Sequence, residues 1–399
     1  MKTYCKDTDI TDYETIKRAI HKCLANKLRR KDVREYLLGC DVKSECKRDE
    51  YSLKIKTDFE YLDGLISKRA KELQIQLKDK DLYLLPIKYD VKYDTSSRKE
   101  RNIATQSIKQ QVCDYVALEG LSPFFAYIGE YQIAGIKGRG TDFGFKTIKR
   151  WLRDKKCKYA GKCDIRKCYE SIDRDLLMKF LLKHIRNPDL LWLIHTLIWT
   201  YKQGLSIGSI LSQYLCSLYL AQLYHRISER MYRIRKRKGR INLVKHVLFQ
   251  MDDILVLGSN RRDLNRAMYM IQAELLMMGL RTKDGIKVFK ILKGKEKRNS
   301  GADFVDILGF RYYGFKVKTS LRRRTFKKCR RCYIRVCNNV RNRQKISIER
   351  ARRFVSLYGR LKKTNHYKLR CKYSKIFQIC KGVISDYDKS KIYRGAAQS

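Results

Sequence analysis

The segment VLFQMDDILVLG at residues 247–258 places two adjacent carboxylates, Asp252 and Asp253, between two short apolar runs. Val, Leu, Phe and Ile favour half-buried strands, whereas Asp is depleted in strands and common in turns. The pattern therefore predicts a β-hairpin that presents both acids at its tip. Two carboxylates about 4 Å apart repel each other by roughly 1 to 4 kcal/mol, depending on the effective dielectric. A divalent cation would remove that repulsion, and an ordinary surface hairpin is the alternative interpretation.

A third carboxylate is offered by the segment CKYAGKCDIRKCYESID at residues 157–173. Its first half predicts a short strand that ends at Asp164, and the following helix has Ser171 or Asp173 as a candidate N-cap. An acid at a strand end beside a hairpin tip is where a two-metal site is built. Two cations about 3.5 to 4 Å apart, bridged by Asp164 and Asp252, can activate a hydroxyl and stabilise a leaving pyrophosphate.

The charge balance of the chain indicates its partner. Its 399 residues include 91 Lys and Arg against 41 Asp and Glu, a formal net charge of +50. Such an excess causes self-repulsion unless a polyanion is bound, so long nucleic acid is the expected partner. An anionic membrane surface is the alternative. The 44% of hydrophobic residues is enough for a folded core, which excludes a disordered basic tail.

The N-terminal segment MKTYCKDTDI has no apolar stretch of the secretory type, and the longest apolar run, residues 190–199, is too short to span a bilayer. We therefore expect a cytoplasmic protein without a membrane partner, whose 14 Cys are mostly reduced. The CxxC of Cys329 and Cys332 suggests a zinc site as an alternative, with further candidate ligands at Cys337, His366, Cys371 and Cys380, but no second CxxC or HxxxH completes it.

The spacing of apolar residues predicts the helices and strands in the first third of the chain. Residues 11–38 predict one basic amphipathic helix, and residues 59–78 predict a second. Residues 82–104 predict strands around a basic hairpin, which is followed by a helix over 107–121. Next, Lys137 and Arg139 alternate with glycines before a helix that starts near Thr141, an arrangement typical of contact with a nucleic-acid backbone.

Taken in order, these motifs resemble those of reverse transcriptases. Asp164 is followed five residues later by the aromatic Tyr169, then by GLSIGSILSQ at 204–213 and by the acid pair at 252 and 253. Further resemblances, collinear over roughly residues 82–370, are RKERNI at 98–103, YQIAGIKGRG at 131–140, GLRTKDGIKVFKI at 279–291 and the primer-grip-like FVDILGFRYYGF at 304–315.

The resemblance implies a role for individual residues. Asp164, Asp252 and Asp253 would be the catalytic metal ligands, with Asp253 supporting the other two. Nucleotide binding would involve Lys99 and Arg101 at the triphosphate, Tyr169 under the sugar, Gln213, and Lys287 or alternatively Lys283. Contacts to nucleic acid would come from Lys137, Arg139, Gly208, Ser212, Arg322, Arg323 and Arg324.

Two features narrow the resemblance. Most reverse transcriptases carry QGxxxSP where this chain has IGSILSQ at 207–213, and the SQ form resembles the enzymes of diversity-generating retroelements, which make frequent errors at template adenines. Gln250 stands where the family usually has Tyr or Phe two residues before the acid pair, at a place that packs near the primer end.

The expected fold is α/β (α+β), a right-hand polymerase. Its parts would be a helical basic extension at 1–80, fingers at 81–156, a palm at 157–300 and a primer-grip hairpin with a helical basic thumb at 301–399. The expected activity is RNA-directed DNA synthesis with two Mg²⁺ ions, or Mn²⁺ instead, on template RNA with a cDNA primer and with a small accessory RNA-binding protein as a further partner. The alternatives are a phage-defence or retron-like enzyme with unconventional priming and a non-catalytic, maturase-like RNA-binding scaffold.

Overall fold

The computed structural model describes residues 2–39, 51, 54–55, 58–94, 99–236, 239–283, 285–292, 302–314 and 318–396. It combines helices with β-sheets that are mostly antiparallel, and it has two clusters of buried residues. One cluster lies between the N-terminal helices and one face of the largest sheet, and the other lies between the opposite face of that sheet and the C-terminal helices.

The described residues among the first 80 include the helices α1 (Tyr13–Leu24), α2 (Lys31–Leu38) and α3 (Phe59–Lys78). The prediction of one helix over residues 11–38 is wrong, because the helix is interrupted after Leu24. Asn26 has φ +62°, a left-handed conformation that Asn tolerates better than most residues and that commonly ends a helix. The predicted helix at 59–78 is confirmed, with Asp58 as its N-cap.

The next part of the chain contains a hairpin and two helices: β1 (Lys88–Asp94), β2 (Lys99–Thr105), α4 (Ile108–Leu121), β3 (Gln132–Ile133) and α5 (Thr141–Leu152). β1 and β2 pair antiparallel, and the predicted helices near 107–121 and from Thr141 are confirmed. α4 packs against α1 and against the helix that begins at Ile210. The N-terminal helices are therefore joined to the centre of the molecule through α4.

A six-stranded sheet forms the centre, with the strand order β10-β9-β4-β8-β7-β3. Its strands after β3 are β4 (Tyr159–Asp164), β7 (His246–Gln250), β8 (Asp253–Gly258), β9 (Lys287–Ile291) and β10 (Ala302–Asp303). β4 and β8 pair antiparallel in the middle and are apolar on both sides, while β3 and β10 join the edges in parallel. The predicted strand ending at Asp164 and the predicted hairpin at 247–258 are both confirmed.

Helices and a second hairpin connect these strands: α6 (Cys168–Ser171), α7 (Arg174–His184), α8 (Pro188–Trp199), α9 (Ile210–His225), β5 (Tyr232–Arg235), β6 (Gly239–Asn242) and α10 (Arg261–Met277). Of the two candidate caps, Asp173 is the N-cap of α7, and its side chain accepts a hydrogen bond from the Leu176 N–H at 2.9 Å. α10 packs against β4, β8 and β9, so it supports one face of the central sheet.

The C-terminal part combines a three-stranded antiparallel sheet with three helices: β11 (Val305–Ile307), β12 (Phe310–Tyr312), β13 (Thr319–Leu321), α11 (Arg323–Arg341), α12 (Ile348–Lys362) and α13 (Tyr367–Ala396). The helices pack on one another, and the predicted helical character of this region is confirmed. Apolar residues of all three helices, among them Val336, Phe354 and Phe377, are buried between them. No helix within the described ranges is long and apolar enough to cross a membrane.

Candidate active site

The three predicted carboxylates meet at one end of the β4–β8 ladder. Asp164, the last residue of β4, lies directly opposite Asp253, the first residue of β8. Asp252 occupies the tip of the β7–β8 hairpin, and its carbonyl accepts a hydrogen bond from the Ile165 N–H at 3.0 Å. Met251 takes a left-handed conformation, φ +53°, which turns the chain between the strands. The strand pairing therefore fixes all three acids through the backbone.

The carboxylates of Asp252 and Asp164 are close enough to repel each other. Burial, followed by the negative charge of Asp164, raises the pKa of Asp252 to about 6. A carboxyl group that resists ionisation beside a second carboxylate favours a bound cation, which would lower that pKa again. The donor set, two carboxylates in direct contact, therefore fits a divalent metal held by Asp164 and Asp252.

Two lysines supply positive charge to these acids. The Lys162 ammonium is 3.3 Å from Asp253 Oδ1, and the Lys283 ammonium is 3.4 Å from Asp164 Oδ2. In the part of the chain that the structure describes, the three acids do not form a group whose ligand atoms all lie within 4.8 Å of one another. Asp253 thus lies beside the Asp164–Asp252 pair and faces a lysine.

Of the two candidate motif lysines, the structure brings Lys283 to the acids. Its backbone N–H also donates to the Asp164 carbonyl at 2.8 Å, so its position is fixed from both ends. Lys287 begins β9 as an exposed residue opposite Lys162. The sequence leaves the choice between Lys287 and Lys283 open, because a chain with 91 Lys and Arg has cations near almost every motif.

Tyr169 lies at the same end of the sheet, on the short helix α6. Its hydroxyl is 3.6 Å from the Met251 sulfur, and burial raises the pKa of its phenol well above the usual range. The Tyr169 carbonyl accepts a hydrogen bond from the Leu205 N–H at 2.9 Å. Tyr169 therefore contacts the hairpin tip through its hydroxyl and the loop that leads into the IGSILSQ segment through its carbonyl.

The IGSILSQ segment forms a turn and the start of α9. Ser209 is the N-cap of α9, and Gly208 has φ +122°, a conformation that residues with side chains rarely adopt. The Gln213 side chain lies against Gly135, where an added Cβ would come within 2.6 Å of the Gln213 Cδ. The glycine-rich segment and the IGSILSQ segment are therefore in direct contact.

Ser212 is predicted to contact nucleic acid, and the structure places its side chain inside the loop. Its side chain is fully buried, and its hydroxyl accepts a hydrogen bond from the Ser206 N–H at 3.2 Å. Its backbone N–H donates to the Ser209 hydroxyl at 3.1 Å. Ser212 therefore stabilises the loop from within, while Gly208 lies against β2 and Gln213 lies against the glycine-rich loop.

Sequence reasoning missed a buried acid beneath this loop, Asp114 of α4. It is completely buried, and its Oδ2 accepts hydrogen bonds from the Ser209 hydroxyl at 2.8 Å and from Gln106 Nε2 at 3.1 Å. Burial raises the pKa of Asp114 to about 7. A lone Asp inside the otherwise apolar stretch VCDYVAL was the available signal.

The predicted cationic contacts fall in three places. Lys99 and Arg101 lie on β2, opposite Asp94 and Lys92 of β1. Lys137 is exposed in the glycine-rich loop, whereas the guanidinium of Arg139 donates to the Gly129 carbonyl at 2.8 Å and therefore shapes that loop.

Arg322, Arg323 and Arg324 stand at the start of α11. Arg323 and Arg324 are exposed, but the Arg322 Nε is 2.5 Å from Asp306 Oδ1. The Asp306 carbonyl in turn accepts a hydrogen bond from the Lys162 ammonium at 3.1 Å. Arg322 therefore belongs to a polar link between the helical C-terminal part and the β7–β8 hairpin.

The CxxC pair does not form a metal centre among the described residues. Cys329 and Cys332 are buried on one face of α11, and neither belongs to a group of three metal-ligating side chains within reach of one ion. Burial raises the pKa of the Cys329 thiol to about 12, so it packs as a neutral apolar group.

Comparison with known proteins identifies the family. Residues 92–311, more than half of the chain, match the family described as reverse transcriptase (RNA-dependent DNA polymerase). The chain belongs to the reverse transcriptase family. Members of this family are RNA-dependent DNA polymerases that use divalent metals, and they bind template RNA together with a nucleic-acid primer.

Among solved structures, the chain is similar to apo telomerase from Candida tropicalis truncated from its C-terminal domain, with 14% identity and a TM-score of 0.42. The similarity covers 59% of this chain and 54% of that one, so this reverse transcriptase spans about half the length of its structural relative. No curated protein matches the chain.

Proposed function

We propose that the protein is an RNA-directed DNA polymerase that copies an RNA template into cDNA at Asp164 and Asp252. The observation that carries the proposal is the contact between these two acids, one at a strand end and one at a hairpin tip, with Asp252 held partly protonated by burial and by Asp164. When bound, two Mg²⁺ ions, or Mn²⁺, would favour ionisation of the primer 3′ hydroxyl and neutralise charge on the leaving pyrophosphate.

The residues around the acids have further proposed roles. Tyr169 is placed beside the hairpin tip, where its ring can support the incoming sugar and disfavour a 2′ hydroxyl. Lys283 holds Asp164, and Lys162 holds Asp253 and joins it to the strand that contains Asp306. The exposed Lys137 and Arg323 are suited to phosphate contact, which makes RNA binding strongly dependent on salt.

The proposed domains follow the same assignment. Residues 1–80 form the helical extension, 81–156 the fingers, 157–300 the palm and 301–399 the primer grip and thumb. Lys99 and Arg101 on the β1–β2 hairpin are proposed to bind the triphosphate, as basic residues on a fingers hairpin would do.

The active-site proposal is tested by extension of a DNA primer on a defined RNA template with purified protein, Mg²⁺ and dNTPs. The double variant Asp252→Asn, Asp253→Asn is expected to lose synthesis entirely while still binding the RNA. Asp175→Asn, which removes an exposed carboxylate of α7, is the matched control and should extend the primer like the wild type. Full extension by the double variant would refute the assignment of the hairpin.

We further propose, on the SQ form at Ser212 and Gln213, that the enzyme belongs to a diversity-generating retroelement and acts in the cytoplasm with a small accessory RNA-binding protein. Sequencing the cDNA tests this proposal, because errors should concentrate opposite template adenines. An even error spectrum would favour an ordinary or defence-type enzyme, and RNA binding without any product would favour the scaffold alternative.

A further inference from the structure

A second group of potential metal ligands lies at the end of the central sheet opposite the catalytic acids. Asp154 and Cys157 belong to the turn between α5 and β4, and His246 is the first residue of β7. Cys157 is seven residues before Asp164, so the group is about 20 Å from the catalytic end along the strand. It is the one group of three His, Cys or acidic side chains within the described ranges whose ligand atoms all lie within 4.8 Å of one another.

The backbone holds these three residues independently of any ion. The Cys157 N–H donates to the Asp154 carbonyl at 3.0 Å, which closes the turn. The His246 ring stacks on Trp151 of α5, with centroids 4.6 Å apart and planes only 4° from parallel. His246 also pairs with Leu257 across the β7–β8 hairpin. The donors are thus presented by a turn, a strand and a ring stack that already exist.

We propose that Asp154, Cys157 and His246 bind one Zn²⁺ ion that fastens the end of α5 to β7. A thiolate, an imidazole and a carboxylate are the ligands that zinc takes, and a thiolate disfavours Mg²⁺. Tetrahedral zinc keeps its donor atoms about 3.5 Å apart, so the three side chains need to close by at most roughly 1 Å. The fourth position is left to water.

Two local charges set conditions for binding. The Lys245 ammonium forms an ion pair with Asp154, and it must give way to the metal. The Cys157 thiol is buried and its pKa is raised to about 11, so each zinc ion bound as the thiolate releases one proton to solvent. Zinc loading therefore exchanges one ammonium contact and one thiol proton for three metal bonds.

The zinc site has a structural consequence that is separate from catalysis. α5 follows the glycine-rich loop, and β7 leads into the hairpin that holds Asp252. The ion would join α5 and β7 at the ends that lie away from the glycine-rich loop and from Asp252. Zinc should therefore stabilise the folded chain without contributing to the reaction, as structural zinc sites do.

The test uses the full-length protein, stripped of metal and then titrated with Co²⁺ in excess Mg²⁺, so that the catalytic acids are occupied. A tetrahedral cobalt–thiolate spectrum with one equivalent bound is expected, and Zn²⁺ should abolish it. Cys157→Ser should remove the thiolate band, and His246→Gln should weaken binding by at least about tenfold. Cys371→Ser, at an exposed thiol of α13, is the control and should bind like the wild type.

The wild-type spectrum decides the proposal even if a variant fails to fold. Absence of a thiolate band in the wild type would overturn it, as would an unchanged band in a folded Cys157→Ser protein. A thermal melting temperature that rises with Zn²⁺ in the wild type and in Cys371→Ser, but not in His246→Gln, would give independent support.

Discussion

Substitution of Asp114 by Asn tests how the IGSILSQ loop is supported. The carboxyl group is completely buried under the loop, and one of its oxygens accepts hydrogen bonds from Ser209 and Gln106. Asn has nearly the same shape and retains a carbonyl oxygen for these two donors, but it cannot ionise. The substitution therefore removes the charge and leaves these two hydrogen bonds.

The magnitude follows from the pKa of Asp114, which burial raises from 3.8 to about 7. Each pKa unit corresponds to about 1.4 kcal/mol, so ionising this group in the folded chain costs up to about 4 kcal/mol. This destabilisation is absent at pH values below the pKa of Asp114 in the unfolded chain. It is complete at pH values above the pKa of Asp114 in the folded chain. The wild type should thus lose about 3 kcal/mol of unfolding free energy through this group between about pH 5 and about pH 8.

The assay is urea unfolding of the wild type and of Asp114→Asn at these two pH values. Other titrating groups contribute equally to both proteins, so the stability difference between them should change by about 3 kcal/mol in favour of the Asn variant as the pH rises. Asp175→Asn, at an exposed carboxylate, should follow the wild type at both pH values. Parallel pH profiles for the wild type and Asp114→Asn would refute the reasoning.

Three further predictions concern the active site. Gly135→Ala should lower primer extension at least about tenfold, because its Cβ would meet Gln213. Gly138 has a similar positive φ but nothing within 4 Å of an added Cβ, so Gly138→Ala should lower extension much less. Equal effects of the two substitutions would contradict the contact. Lys283→Ala should slow nucleotide incorporation about tenfold or more in single-turnover assays, and an equal loss in Lys287→Ala would contradict the choice between them. Tyr169→Ala should increase rNTP incorporation relative to dNTP, and unchanged discrimination would remove the proposed role of the ring.

The parts of the fold that the sequence predicts are those that depend on local pattern. The hairpin at 247–258 and the strand that ends at Asp164 follow from short apolar runs interrupted by acids, and both are present. The interruption after Leu24 was missed because one Asn in a left-handed conformation ends the helix without a Gly or Pro to mark it.

The partners of the acids could not be predicted in the same way. In a chain with 91 cations, no local pattern separates Lys162 and Lys283 from the rest, and only strand register brings them to Asp253 and Asp164. Ser212 shows the opposite case, because its motif position suggested a contact surface and burial placed it inside the loop.

The two lysines beside Asp253 and Asp164 also change how the proposed metal site would take up its ions. Lys162 and Lys283 already compensate the negative charge of Asp253 and Asp164, so metal loading is an exchange of cations at an occupied anionic site. The hairpin should then keep its register during metal depletion, and chelators should silence the enzyme reversibly and without unfolding it. The metal-free enzyme would then keep the conformation that binds the ions, so activity should return as soon as metal is added back.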